Sequence, residues 1–173
     1  MARSHIVLVG LPGAGKTTVG AIVAARLGAP FQDLDRVIES RTGRSVAQLF
    51  AEQGEAAFRA LEAGVGAELL AGPPSILAPG GGFFGDQDQR RRTLSQAYAI
   101  YLKTSAAVAA RRLAGTPDRP LLAGFQPMLR LRLLLEQREA GYLEAQGHVT
   151  TDGRAPETVA AEVLELARTY GGW

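Results

Sequence analysis

The sequence predicts an α/β fold: one domain with a five-stranded parallel sheet flanked by helices. Three observations lead there. Short apolar runs alternate with segments of helical period along the chain, the pattern of βαβ units. The first run, Ile6-Val7-Leu8-Val9, is apolar at every position, as a strand buried on both faces must be. At 173 residues the chain fits one domain and is too short for two of ordinary size.

His5 to Val9 is the first strand, and a glycine-rich turn follows it. Lys16 to Leu27 carries Val19, Ile22, Val23 and Leu27 at helical spacing and stops at Gly28, a natural C′ residue. Pro30 to Leu34 reads as a short second strand ending in Asp33-Leu34-Asp35, and Arg36 to Ser40 opens a helix. Ser45-Val46-Ala47-Gln48 has capping-box spacing and begins a short helix through Phe50, with a longer one from Glu55 to Leu70. Ser75 to Ala78 is a short apolar strand that runs into Pro79-Gly80-Gly81-Gly82. Ala97 to Leu102 is a strand near the sheet edge, and a helix from Ser105 to Leu113 follows. Thr116-Pro117-Asp118-Arg119-Pro120 is polar and turn-forming, which predicts a mobile lid over residues 113–125. Phe125 to Ala145 reads as a long helix with Met128, Leu131, Leu135 and Tyr142 on one side. His148 to Thr151 is the last strand and Pro156 to Tyr170 the last helix.

Composition narrows the class. Hydrophobic residues at 46%, charged residues at 21% and aromatics at 6% match a globular protein and exclude a disordered chain. The net charge is only +2 although the pI is 9.3. With no cysteine and two lysines among the nineteen cations, little titrates just above neutrality, so the small surplus survives until tyrosine ionises. The pI therefore does not argue for a nucleic-acid partner. Absence of cysteine fits a reducing compartment, and the N-terminal apolar run is too short for a signal or a membrane span, so a cytoplasmic protein is expected.

Gly10-Leu11-Pro12-Gly13-Ala14-Gly15-Lys16-Thr17 matches G-x-x-x-x-G-K-[ST] in full. In a chain of this composition a chance match is expected roughly 0.3% of the time, before the flanking strand and helix are required. The loop's N–H groups and the helix N-terminus then face one anion together. Gly13, Ala14, Gly15, Lys16, Thr17 and Thr18 form a nucleotide site, in which Lys16 spans the β- and γ-phosphates and the Thr17 hydroxyl ligates Mg²⁺. No N-K-x-D guanine signature occurs, and one small domain does not suit a mechanical ATPase, which leaves small-molecule kinases.

Further landmarks agree in order: Asp33-Leu34-Asp35, Arg41-Thr42-Gly43-Arg44-Ser45-Val46, Phe58-Arg59-Ala60-Leu61-Glu62, Gly80-Gly81-Gly82, Arg119-Pro120-Leu121-Leu122, and Arg138 followed by Tyr142. With the phosphate loop they make the chain resemble the shikimate kinase family along nearly its whole length. That resemblance implies a P-loop kinase with ATP and Mg²⁺, transferring the γ-phosphoryl group to the 3-hydroxyl of shikimate; a monomer with a small-molecule partner is expected. It implies that Asp33 holds Mg²⁺ largely through water, and that Asp35 binds the acceptor hydroxyl and takes its proton as base. Arg59 and Arg138 are implied to read the acceptor carboxylate as bidentate forks, with Glu62 on the Arg59 helix face to hold that guanidinium. Gly81 gives a backbone N–H to the acceptor, Arg119 brings a cation from the lid, and Arg112 and Arg154 flank the nucleotide. The acceptor region spans residues 35–62.

Pro79 and the Phe83-Phe84 pair depart from that pattern and place two large rings at the expected pocket rim. A kinase for another small metabolite, such as gluconate, shares the same plan. A non-catalytic metabolite sensor of this fold is the alternative outside enzymes; Lys16, Thr17, Asp33 and Asp35 argue against it and the two phenylalanines for it. Arg90-Arg91-Arg92 reads as a solvated helix face rather than a nucleic-acid patch, and His5 and His148 are assigned no chemistry. Leu131 and Leu133-Leu134-Leu135 read as helix core whose density also suits a contact between copies.

Overall fold

A computed structural model describes residues 2–114 and 126–173. Arg119 and nearly all of the expected lid, 113–125, lie outside the described residues. Five strands, β1 (His5–Val9), β2 (Phe31–Asp33), β3 (Ile76–Ala78), β4 (Ala97–Lys103) and β5 (Gly147–Thr150), form one parallel sheet in the order β2-β3-β1-β4-β5. Central β1 sets Ile6 opposite Ile76 on one side and Tyr98 on the other.

The helices are α1 (Lys16–Leu27), α2 (Leu34–Thr42), α3 (Val46–Ala71), α4 (Gln87–Gln96), α5 (Ala106–Leu113), α6 (Pro127–Tyr142) and α7 (Pro156–Tyr170). Because side chains alternate across a strand, Ile6 and Leu8 face α1 and α7, where Val19, Val23, Val159 and Val163 complete one core. Val7 and Val9 face the opposite side and meet Ala109 of α5 with Leu131 and Tyr142 of α6. A third core, of Leu34, Ile38, Leu49, Phe58, Val65 and Phe83, holds α2 against α3.

Several boundaries move for identifiable reasons. The second strand stops at Asp33, not Leu34, because the Asp33 carboxylate accepts the Arg36 N–H at 3.2 Å and starts α2 at Leu34. The Ser45–Gln48 capping box is present, and the two helices expected beyond it run as one element, α3, broken at Gly54 with φ 82° and ψ 170°. The long helix is shorter than 125–145, since Pro127 occupies its first turn and Leu143 closes it. Its first turn projects into solvent, so Met128 is half exposed and does not share the buried face of Leu131 and Tyr142. Leu133 is likewise exposed, so the leucine run is not uniformly core.

Two expectations about side chains are corrected. Phe83 and Phe84, expected at the pocket rim, sit in a 3-10 turn (Phe83–Gly85) and are both buried. Phe83 enters the third core against Gly66, where a Cβ would lie 2.5 Å from its ring, and Phe84 enters the α6 side of the sheet. Arg91 and Arg92 are exposed, but Arg90 is not solvated: it pairs with Glu144 at 3.0 Å and donates to the Phe84 and Gly85 carbonyls.

Candidate active site

In an open parallel sheet the crevice at the carboxyl ends of the strands collects the loops that bind ligands. Here β1 leads into the phosphate loop, and its neighbour β3 leads into Pro79-Gly80-Gly81-Gly82. The two loops touch. A cleft of about 880 Å³ opens over them, and every described residue named above as a site residue lines it.

At the phosphate end Gly13 and Gly15 have φ 83° and 92°, which β-carbons disfavour. No side chain caps α1 at Gly15, so its first-turn N–H groups remain directed at the cleft. Lys16 is buried, and its Nζ donates to Gly10 O at 2.8 Å and Leu11 O at 2.9 Å, arching back over the loop. Thr17 Oγ1 donates to Asp33 Oδ2 at 2.6 Å, so the hydroxyl and the carboxylate expected at a metal converge on one point. Arg112 donates to the Gly13 and Ala14 carbonyls and to Thr151, tying the loop to the turn after β5. Arg154, on the same wall, donates to Thr150 O and pairs with Glu162 at 2.8 Å.

At the other end α2, α3 and α6 bring Asp35, Arg59, Glu62 and Arg138 into the same cleft. Arg59 Nη1 donates to Glu62 Oε2 at 2.8 Å, while Nη2 lies 3.5 Å from Glu55. The break at Gly54 lets Phe50 and Phe58 pack with ring centroids 4.7 Å apart, and the Arg59 guanidinium lies 5.9 and 5.6 Å from those rings. Glu62 is 1% exposed, and burial pushes its carboxyl above the usual range, with Arg59 pulling down and Asp35 pushing up. Its Oε1, and Nη1 of Arg138, are buried without a hydrogen-bond partner among the described residues. Glu62 and Arg138 both line the cleft, so one buried acceptor atom and one buried charged donor lie unsatisfied in its wall.

The three glycines answer to three neighbours. A Cβ at Gly80 would lie 2.8 Å from Glu62 Oε1, one at Gly81 2.7 Å from the Pro12 ring, and one at Gly82 2.5 Å from Arg59 Nη2. At Gly81 a Cβ would meet the Pro12 ring of the phosphate loop, whereas at Gly80 and Gly82 it would displace the ends of Glu62 and Arg59.

Sequence reasoning gave Pro12, Phe50 and Tyr142 no contact in the acceptor site: Pro12 entered only within the phosphate-loop motif, and Tyr142 only as a landmark after Arg138 and a position on the inner side of its helix. Phe50 and Phe58 belong to opposite sides of a helix break, so no periodicity links them. Tyr142 follows Arg138 by one helical turn, a spacing that does place both on one face. Its hydroxyl donates to the Gly81 carbonyl.

A family model described as shikimate kinase matches residues 12–168. Shikimate kinase from Caulobacter vibrioides is 45% identical over 162 residues, covering 94% of this chain and 80% of its own. That from Symbiobacterium thermophilum is 40% identical over 170 residues, covering 96% and 98%. Among solved structures, shikimate kinase from Acinetobacter baumannii in complex with shikimate superposes with a TM-score of 0.93 at 35% identity, over 97% of this chain and 94% of that one. A gluconokinase from Sinorhizobium meliloti, at 19% identity and TM-score 0.68, shares the fold.

Proposed function

This chain belongs to the shikimate kinase family, and on that footing we propose that it transfers the γ-phosphoryl group of ATP to the 3-hydroxyl of shikimate, giving shikimate 3-phosphate and ADP. One observation carries the reading: a phosphate loop and a pair of arginines, with Asp35 and Glu62 beside them, share one cleft. The acidic ring lies with its carboxylate toward Arg59 and Arg138 and its reacting hydroxyl toward Asp35, which accepts the proton. Residues 35–62 thus form the acceptor region of a single kinase domain. The amides of 13–18 and Lys16 hold the phosphates, so catalysis rests on positioning and on charge neutralisation. Arg112 and Arg154 wall the nucleotide end, and Gly81 offers its N–H to the acceptor.

The paired Thr17 hydroxyl and Asp33 carboxylate fit Mg²⁺, which takes one or two protein oxygens and completes its shell with phosphate and water. When bound, that ion would neutralise charge on the β- and γ-phosphates. A monomer working in the cytoplasm is part of the same proposal. No helix among the described residues is long and apolar enough to cross a membrane.

Coupled ADP release, measured with shikimate, with gluconate and without acceptor, each with and without Mg²⁺, tests this. Release is expected only with shikimate and Mg²⁺ together. Turnover of gluconate with none of shikimate would reassign the acceptor, and release independent of either would remove the assignment of Arg59 and Arg138.

A further inference from the structure

A loop of three glycines is a poor instrument for presenting backbone donors. Glycine leaves φ and ψ nearly unrestricted, and each amide a ligand uses must be fixed by something else. Within this loop the Gly80–Gly81 peptide is held from inside, because Phe83 N–H donates to the Gly80 carbonyl at 3.1 Å. In a trans peptide the Gly81 N–H then points the opposite way from that carbonyl. In the next peptide, Gly81–Gly82, the carbonyl accepts from the Tyr142 hydroxyl, across 61 residues of chain.

Tyr142 is placed to act as a rigid post. It is 0% exposed, its ring lies 5.2 Å from that of Tyr101, and it ends the helix that carries Arg138 one turn earlier. Burial pushes its phenol up to about 12, with the Arg138 guanidinium beside it pulling the other way, so it is a protonated donor at neutral pH. The same loop is strapped to α6 further along: the Arg138 stem passes 3.5 Å from where a Gly85 Cβ would be, and Arg90 links the Phe84 and Gly85 carbonyls to Glu144.

We propose that Tyr142 is a positioning residue for the acceptor: its hydroxyl locks the glycine loop to α6, so that the loop's amides and the Arg138 guanidinium keep one fixed spacing. This rests on the reading of Arg138 and Gly81 as acceptor contacts given above. The bonds of Lys16 and Arg112 to the phosphate loop use neither Tyr142 nor the Gly81 carbonyl, so acceptor affinity is expected to suffer more than nucleotide affinity when this bond is removed.

Tyr142→Phe removes the donor and keeps the ring. Calorimetric titration is expected to show shikimate affinity falling about tenfold while ADP affinity changes less than about twofold. The KM for shikimate is expected to rise in step, with that for ATP unmoved. Unchanged shikimate affinity overturns the proposal, and so does an equal loss for both ligands. Should the phenylalanine chain fail to fold, p-aminophenylalanine at position 142, which keeps an N–H donor, is compared with p-methylphenylalanine, which keeps the bulk alone; only the first is expected to retain affinity. If the wild-type chain binds no shikimate, the proposed function fails, and the Gly81 and Gly82 amide resonances decide Tyr142 separately. Their shift and faster hydrogen exchange in Tyr142→Phe support the lock, and unaltered resonances remove it.

Discussion

Arg59 concentrates the electrostatics of the acceptor end. Its guanidinium is shared between Glu62 and Glu55, rests near two aromatic rings, and closes on the Cα of Gly82. A lysine keeps the charge and loses the planar fork, so Arg59→Lys should weaken shikimate binding by about 10- to 50-fold, or ~1.5–2.5 kcal/mol, with ADP binding within about twofold. Calorimetry of both ligands checks this, and equal losses would refute the division of labour between the two ends. Lys16, held over the loop by two carbonyls, is expected to be indispensable for turnover: Lys16→Ala should reduce kcat by at least about a thousandfold in the ADP-release assay, with shikimate still bound. Glu62 couples the site to stability. Burial outweighs Arg59 and raises its pKa above the ordinary 4.5, so the folded state favours the protonated acid. The stability this contributes is whole below the unfolded pKa and is lost as pH rises through the folded one. In urea unfolding across a pH series, Glu62→Gln should therefore gain on the wild type as pH increases from below 4.5; parallel curves would show that Glu62 does not titrate as argued.

The glycine loop and the break in α3 act as elements. Gly82 faces the end of a flexible side chain and Gly81 faces a proline ring in the phosphate loop, so the two alanine variants should fail differently. Gly82→Ala displaces the Arg59 guanidinium and is expected to raise the KM for shikimate alone, whereas Gly81→Ala pushes on Pro12 and should raise both KM values. Steady-state kinetics with each substrate varied in turn distinguishes the patterns, and identical profiles would show that the loop moves as a whole. At Gly54, φ of 82° is a conformation that a Cβ strains, so Gly54→Ala should lower stability by about 1–2 kcal/mol in chemical unfolding and also disturb the Phe50–Phe58 pair under Arg59. Elements whose limits are set by nearby residues were legible in the chain: Gly28 ends α1, and Ser45 with Gln48 opens α3. The limits of α6 were not, because its leucines point both inward and outward, as buried Leu131 and exposed Leu133 show.

At the scale of the molecule, one topological fact assembles the site. Placing β3 beside β1 brings the triple-glycine turn, residues 80–82, against the phosphate loop, residues 10–17, and α3 and α6 then deliver Arg59 and Arg138 to the same cleft. The phosphate loop was legible by itself because its chemistry is contiguous. Arg59 and Arg138 were legible only through the order of motifs they share with the family, since neither carries a local mark that separates it from a solvated helix arginine. The glycine contacts with Glu62, Pro12 and Arg59, and the Tyr142 bond to Gly81, were beyond sequence reasoning because each depends on two backbones approaching within a side chain's width. The buried Arg138 Nη1 and Glu62 Oε1 belong to the same class, as orphaned atoms emerge only once their surroundings are built. A crystal structure with ADP and shikimate bound together tests the account most directly. It should show the carboxylate of the ring between Arg59 and Arg138, a hydroxyl against Asp35, and the ADP phosphates on the amides of 13–18. A ring seated elsewhere, or either guanidinium turned out to solvent, would contradict it.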